Sequence, residues 1–135
     1  MIFTVQPETL DQFWPQALPH LERFSRETLL VNTLDIYQRV KQSHEQLWML
    51  ERDGEVVLVV ITEITAGAGP ICRIRIGSGT AGHEALRDMC DEIERWAVRI
   101  GCVGMEICGR KGWQKVLEGF NQTGVILEKD LRQVH

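Results

Sequence analysis

ICRIRIGSGTAGHEALRDMCDEIERWAVRIGCVGMEIC, residues 71–108, is the stretch on which the fold turns. It opens as a strand, with Cys72, Ile74 and Ile76 alternating against Ile71, Arg73 and Arg75, so that the first three share a face. Gly77, Gly79 and Gly82, with Ser78 and Thr80 among them, break that pattern and predict a flexible strand-to-helix loop with Thr80 as the cap. From Glu84 to Ile100 the period becomes helical. Ala85, Leu86, Met89, Cys90, Ile93, Trp96, Ala97 and Ile100 fall on one face, and Gly101 stands where a left-handed cap is wanted. "VGMEIC" then returns as a strand, giving an α/β layer plan.

Working outward, "QLWMLERDGEVVLVVITEIT" is two β-rich runs joined at Asp53-Gly54, a pair suited to positive φ at both corners of a tight hairpin turn. Upstream, "MIFTV" is a short strand ending at Pro7. Thr9 and Gln12 read as a capping box for a helix through Leu10, Phe13, Trp14, Ala17 and Leu18, and Pro15 and Pro19 predict a kinked or segmented one. Thr33 caps a second, short amphipathic helix carrying Leu34, Tyr37, Val40 and Lys41. Downstream, a short helix around Trp113, Val116 and Leu117 and a last strand "GVILEKDL" close the chain. The predicted order is β α α β β β α β α β: a mixed, mostly antiparallel central sheet flanked by helices.

The chain has 135 residues, 44% of them hydrophobic and 25% charged, which matches a single domain spanning 1–135 with one sizeable core. Its formal net charge of -4 argues against nucleic acid as a partner. No apolar run reaches bilayer-spanning length and the amino terminus has no signal-peptide pattern, so a soluble, cytoplasmic protein without membrane contact is expected. Cys72, Cys90, Cys102 and Cys108 form no C-x-x-C pair and lie in apolar pattern, which predicts free thiols. The scattered His20, His44, His83 and His135 add no zinc spacing, so no metal is expected.

The predicted order, ending in "WAVRIGCVGMEICGRKGWQKVLEGFNQTGVILEKDL" (residues 96–131), resembles the GNAT superfamily of acyl-CoA-dependent N-acyltransferases over essentially the whole chain. The resemblance implies acetyl-CoA as cofactor and an anion-binding loop Q/R-x-x-G-x-G/A before the long helix, where backbone amides hold the pyrophosphate. Without gaps, its slots fall on Ala81, Glu84 and Leu86, which puts a carboxylate where a diphosphate belongs. The shifted alternative is a cradle built from Gly77, Ser78, Gly79, Thr80, Ala81 and Gly82. The family's asparagine and tyrosine slots fall on Cys108 and Lys115, so no acid is assignable. Glu63 and Glu106, carboxylates flanked by apolar strand residues, are the candidate catalytic bases. Each also reads as an outward-facing member of its strand, and Glu106, if buried, would need Arg73 or Arg75 as partner.

"GRKGW", with Arg110, Lys111 and Trp113, is a candidate partner-binding element, Trp113 anchoring a core or an interface. Its continuation to "EKDL" is similar to small GNAT-like proteins of tailed phages and prophages, some of them internal virion components. The likeness and the altered slots imply a non-catalytic binding or structural module with an eroded acetyl-CoA site. Such a module would act through a protein partner or as a homo-oligomer, in host cytoplasm or virion, and without cofactor. The alternative is an acetyl-CoA-dependent N-acetyltransferase acting on a small amine or a protein amine.

Overall fold

The computed structural model describes residues 1–28, 31–108, 117, 119–124 and 127–133. In chain order these form β1 (Ile2–Val5), a 3-10 turn at Pro7–Thr9, α1 (Leu10–Ser25), α2 (Thr33–Lys41), β2 (Glu45–Arg52), β3 (Glu55–Ala66), β4 (Pro70–Gly79), α3 (His83–Arg99) and β5 (Gly104–Ile107), with a second 3-10 turn at Leu131–Gln133. The strands make one five-stranded sheet in the order β1-β2-β3-β4-β5. All neighbours are antiparallel except β4 and β5, which run parallel because α3 carries the chain back between them. The mixed, mostly antiparallel sheet between helices is the predicted architecture.

Each sheet face has its own core. Trp48, Leu50, Leu58, Val60, Cys72 and Ile74 pack under Ala85, Leu86, Met89, Cys90, Ile93 and Ala97 of α3. On the other face Leu47, Met49, Val59, Ile61 and Ile76 meet Leu10, Ala17 and Leu21 of α1 with Ile36 and Val40 of α2. Cys72, Ile74 and Ile76 therefore do not share a face. Ile61 pairs with Ile76 but Thr62 pairs with Ile74, so Arg75 is an extra, unpaired residue, a bulge that rotates the rest of β4 by one position. Trp14 belongs to the α1/α2 side and Trp48 to the α3 side, where Trp96 meets it edge-on at 5.4 Å.

The turn chemistry follows the sequence in two places. Asp53 (φ 52°) and Gly54 (φ 79°) both take the left-handed conformation that the β2–β3 hairpin requires. Gly101 (φ 91°) ends α3: the Gly101 amide donates to Val98 and the Cys102 amide to Ala97, the pair of bonds that caps a helix carboxyl end. Elsewhere the caps differ. Thr9 bonds the Gln6 carbonyl instead of capping α1, and Asn32, not Thr33, caps α2 by accepting from the Asp35 amide at 3.1 Å. α1 is one unsegmented element, because Pro15 and Pro19 sit four residues apart on its exposed side. The residues whose carbonyls they deprive of a donor, Asp11 and Pro15, are themselves exposed.

Trp113 and Val116 of the expected helix lie outside the described residues; Leu117 is described and is buried in the core under α3. Of the expected last strand, residues 124 and 127–131 are described and form no strand; Leu127 is exposed and Leu131 opens the second 3-10 turn.

Candidate functional site

β4 and β5 stay together only from Ile71↔Gly104 to Ile74↔Ile107, with one further bond from the Cys108 amide to the Ile74 carbonyl. β4 then continues alone to Gly79 along β3. Two sets of candidate residues flank this parting: the glycine-rich end of β4 and a row of charges across the sheet.

Gly77, Ser78 and Gly79 are strand residues here, paired with Val60, Val59 and Leu58. That leaves three residues, Thr80, Ala81 and Gly82, to connect β4 to α3, and Gly82 is the helix cap with no side-chain bond. Thr80 is therefore not the cap. The Thr80 and Ala81 amides both donate to the Val57 carbonyl, at 2.9 and 3.1 Å. Gly79 is pressed on the same strand: a Cβ there would lie 2.1 Å from Val57 O. On the other side Arg23 of α1 donates to the Gly79 carbonyl at 2.8 Å and to Ser78 Oγ at 3.5 Å. The first turn of α3 carries Glu84, exposed, with His83 exposed beside it. The fold thus uses for itself the Thr80 and Ala81 amides of the predicted anion cradle. An anion at this end of α3 would meet the Glu84 carboxylate beside the remaining backbone amides.

The second set is a transverse row. Glu45 of β2 pairs with Glu63 of β3, Glu63 with Arg73 of β4, and Arg73 with Glu106 of β5, so four charged residues stand side by side on the α1/α2 face. The bulge brings Arg75 in as a fifth. Its Nη1 donates to Glu45 Oε2 at 2.6 Å, while Arg73 Nη1 reaches Glu63 Oε1 at 3.4 Å. Arg73 Nε lies 2.6 Å from Glu106 Oε1 as an ion pair outside hydrogen-bond geometry. Side-chain exposure falls along the row, from 52% at Glu106 through 37% at Arg73 and 16% at Glu63 to 0% at Glu45. Burial pushes the Glu45 carboxyl above the usual glutamate range, against the opposing pull of Arg75.

The two predicted bases, Glu63 and Glu106, are thus brought together around Arg73. Glu45 and Arg23 are not readable as site residues from motif spacing. One signal for Glu45 lies in the sequence: in "EQLWML" both alternating sets are apolar, so the glutamate begins a strand covered on both faces. Arg110, Lys111 and Trp113 lie outside the described residues. Among the described residues no group of three or more His, Cys, Asp or Glu could hold a metal ion, and no helix is long and apolar enough to cross a membrane.

No family model and no curated protein sequence matches the chain at a significant level. Solved structures do. An aminoglycoside acetyltransferase from an uncultured soil metagenomic sample, in complex with trehalose, is 9% identical with a TM-score of 0.72 and covers 97% of this chain and 95% of its own. A predicted acetyltransferase from Clostridium acetobutylicum with acetyl-CoA is 12% identical at TM-score 0.68, covering 98% and 96%. The aminoglycoside N-acetyltransferase AAC(6')-Iy in complex with CoA is 13% identical at 0.66, covering 96% and 98%. The chain has the GNAT fold. Within the GNAT fold β4, α3 and β5 form the unit read from residues 71–108, and the parting of β4 from β5 lies beside the charged row.

Proposed function

We propose that this GNAT-fold chain is a non-catalytic binding or structural module, phage-encoded and acting through a protein partner or a second copy of itself. The observation that carries this reading is the return of the Thr80 and Ala81 amides to the Val57 carbonyl across a connection of three residues. A coenzyme pyrophosphate needs such amides free, and here they complete the fold. Glu84 in the first turn of α3 already complements the helix dipole and opposes a dianion at the same place.

The test is thermal unfolding of the full chain with and without millimolar acetyl-CoA. A coenzyme at a hundred times its dissociation constant adds about 2.7 kcal/mol. The expected result is an unchanged melting temperature, and a rise of several degrees would overturn the reading.

A second reading, an acetyl-CoA-dependent N-acetyltransferase of a small or protein amine, is favoured by the placing of Glu63 and Glu106 beside the strand parting. In that reading the two carboxylates are the candidate bases and Gly77, Ser78, Gly79, Thr80, Ala81 and Gly82 line the coenzyme. Acetyl transfer to an amine panel, in the presence of a melting shift with acetyl-CoA, would establish it.

A further inference from the structure

α1 and α2 pack on the sheet through Leu10, Ala17 and Leu21 and through Ile36 and Val40. Between the two helices lies a groove of about 340 Å³, lined by Trp14, Leu18 and Glu22 of α1 and by Thr33, Leu34 and Tyr37 of α2. Its aromatic side is held in place: the Trp14 and Tyr37 rings meet edge-on at 5.3 Å, and the Tyr37 hydroxyl donates to Asp11. Leu34 is 64% exposed there, and Glu22, the one charged residue of the lining, is exposed and makes no ion pair among the described residues. The same chain exposes a segment that matches. Leu127 is 90% and Leu131 68% exposed. Between them Glu128 accepts from Thr28 Oγ1 at 2.8 Å and Asp130 holds the Arg132 guanidinium, whereas the exposed Lys129 has no ion pair among the described residues. We propose that the groove between α1 and α2 receives the Leu127–Leu131 segment of a second copy of the chain, with Lys129 set against Glu22, in a two-fold dimer.

Position and charge select the occupant. Glu22 stands in the last turn of α1 and Thr28 three residues beyond its end, so the Thr28–Glu128 bond puts the leucines on the same side of the molecule as the groove. A two-fold axis through that side presents each copy's leucines to the other's groove, and one contact is made twice. Within a single chain the leucines stay in water, so the chain does not fill its own groove with them. A different protein seated in the groove would leave Leu127 and Leu131 uncovered, whereas a second copy covers groove and leucines together. With a net charge of -4, two copies repel at long range; the paired Glu22 and Lys129 supply attraction at the place of contact and fix its register.

The dimer takes up the second-copy branch of the proposed function and adds its surface. Its test is sedimentation equilibrium of the full chain without acetyl-CoA, over roughly 1 to 500 μM. The expected result is a mass that rises from one chain toward two. A monomer throughout would overturn the dimer and leave the coenzyme reading standing, and a melting shift with acetyl-CoA would leave the dimer standing. Leu34→Asp on the groove and Leu127→Asp on the segment should each abolish association, and a dimer undiminished in both would place the interface elsewhere and overturn the proposal. Should either of these variants not fold, the charges supply the readout. Glu22→Lys and Lys129→Glu, both at exposed positions, should each weaken the dimer about fivefold, and the two together should restore it. A double variant no tighter than the single ones would overturn the assigned contact.

Discussion

Val57 O accepts from two successive amides and stands where a side chain at Gly79 would have to go. Gly79→Ala should therefore cost about 3 kcal/mol, since the obstacle is backbone and cannot rotate away. Urea denaturation of the variant checks this; an unaltered midpoint would mean that β3 and β4 are looser than described. Glu45 makes a different prediction, in pH. Its folded carboxyl titrates above the ordinary range because burial disfavours the charge, and Arg75, Glu63 and Arg39 are the groups that face it. Between the unfolded and the folded pKa the native chain holds a proton that the unfolded chain releases. This group's contribution therefore favours folding below that window and is lost as pH rises through it. Glu45→Gln should flatten the slope of urea midpoint against pH there, and an unchanged slope would remove Glu45 as its source. The thiols add a chemical readout. Burial raises Cys72 and Cys90 to about 12, so in the native chain both should resist alkylation at neutral pH that they accept once unfolded.

At the scale of elements, α3 was legible in its apolar stripe and its terminal Gly101, local signals that tertiary packing reinforces, but not at its ends, where Gly82 and not Thr80 is the cap and Ile100 is exposed. Gly101→Ala forces an L-residue into φ 91° with nothing around it to clash, and should cost about 1 kcal/mol by unfolding equilibrium. β4 was legible as a strand but not in its facing. Strict alternation puts Cys72, Ile74 and Ile76 together, and only pairing with β3 reveals Arg75 as the inserted residue that turns Ile76 to the opposite core. A bulge leaves no mark in composition when the residues on both sides of it are apolar. The α1 prolines taught the reverse lesson. Their spacing of four puts both on one exposed side, which a sequence can show only once the buried side is known.

For the whole molecule, the layered arrangement and the GNAT fold were readable from element order, because each helix face and each hairpin turn states its own constraint. The site was readable in part. Glu63 and Glu106 stand out as acidic residues in apolar strands, yet their meeting at Arg73, and the presence of Glu45 behind them, depend on register across four strands. The glycines near the start of α3 suggested a cradle. Whether the Thr80 and Ala81 amides of that cradle are free depends on a carbonyl more than twenty residues earlier, at Val57.

Among the described residues the one parallel pairing also bears on the order of assembly. The β2–β3 hairpin closes over the two residues Asp53 and Gly54, whereas β5 finds β4 only after the 17-residue α3 has wound and docked. A nascent chain emerging up to Gly79 carries β2, β3 and β4 but not α3, so the face meant for α3 has nothing yet to cover it. During synthesis that greasy surface is the part most in need of a chaperone's shelter.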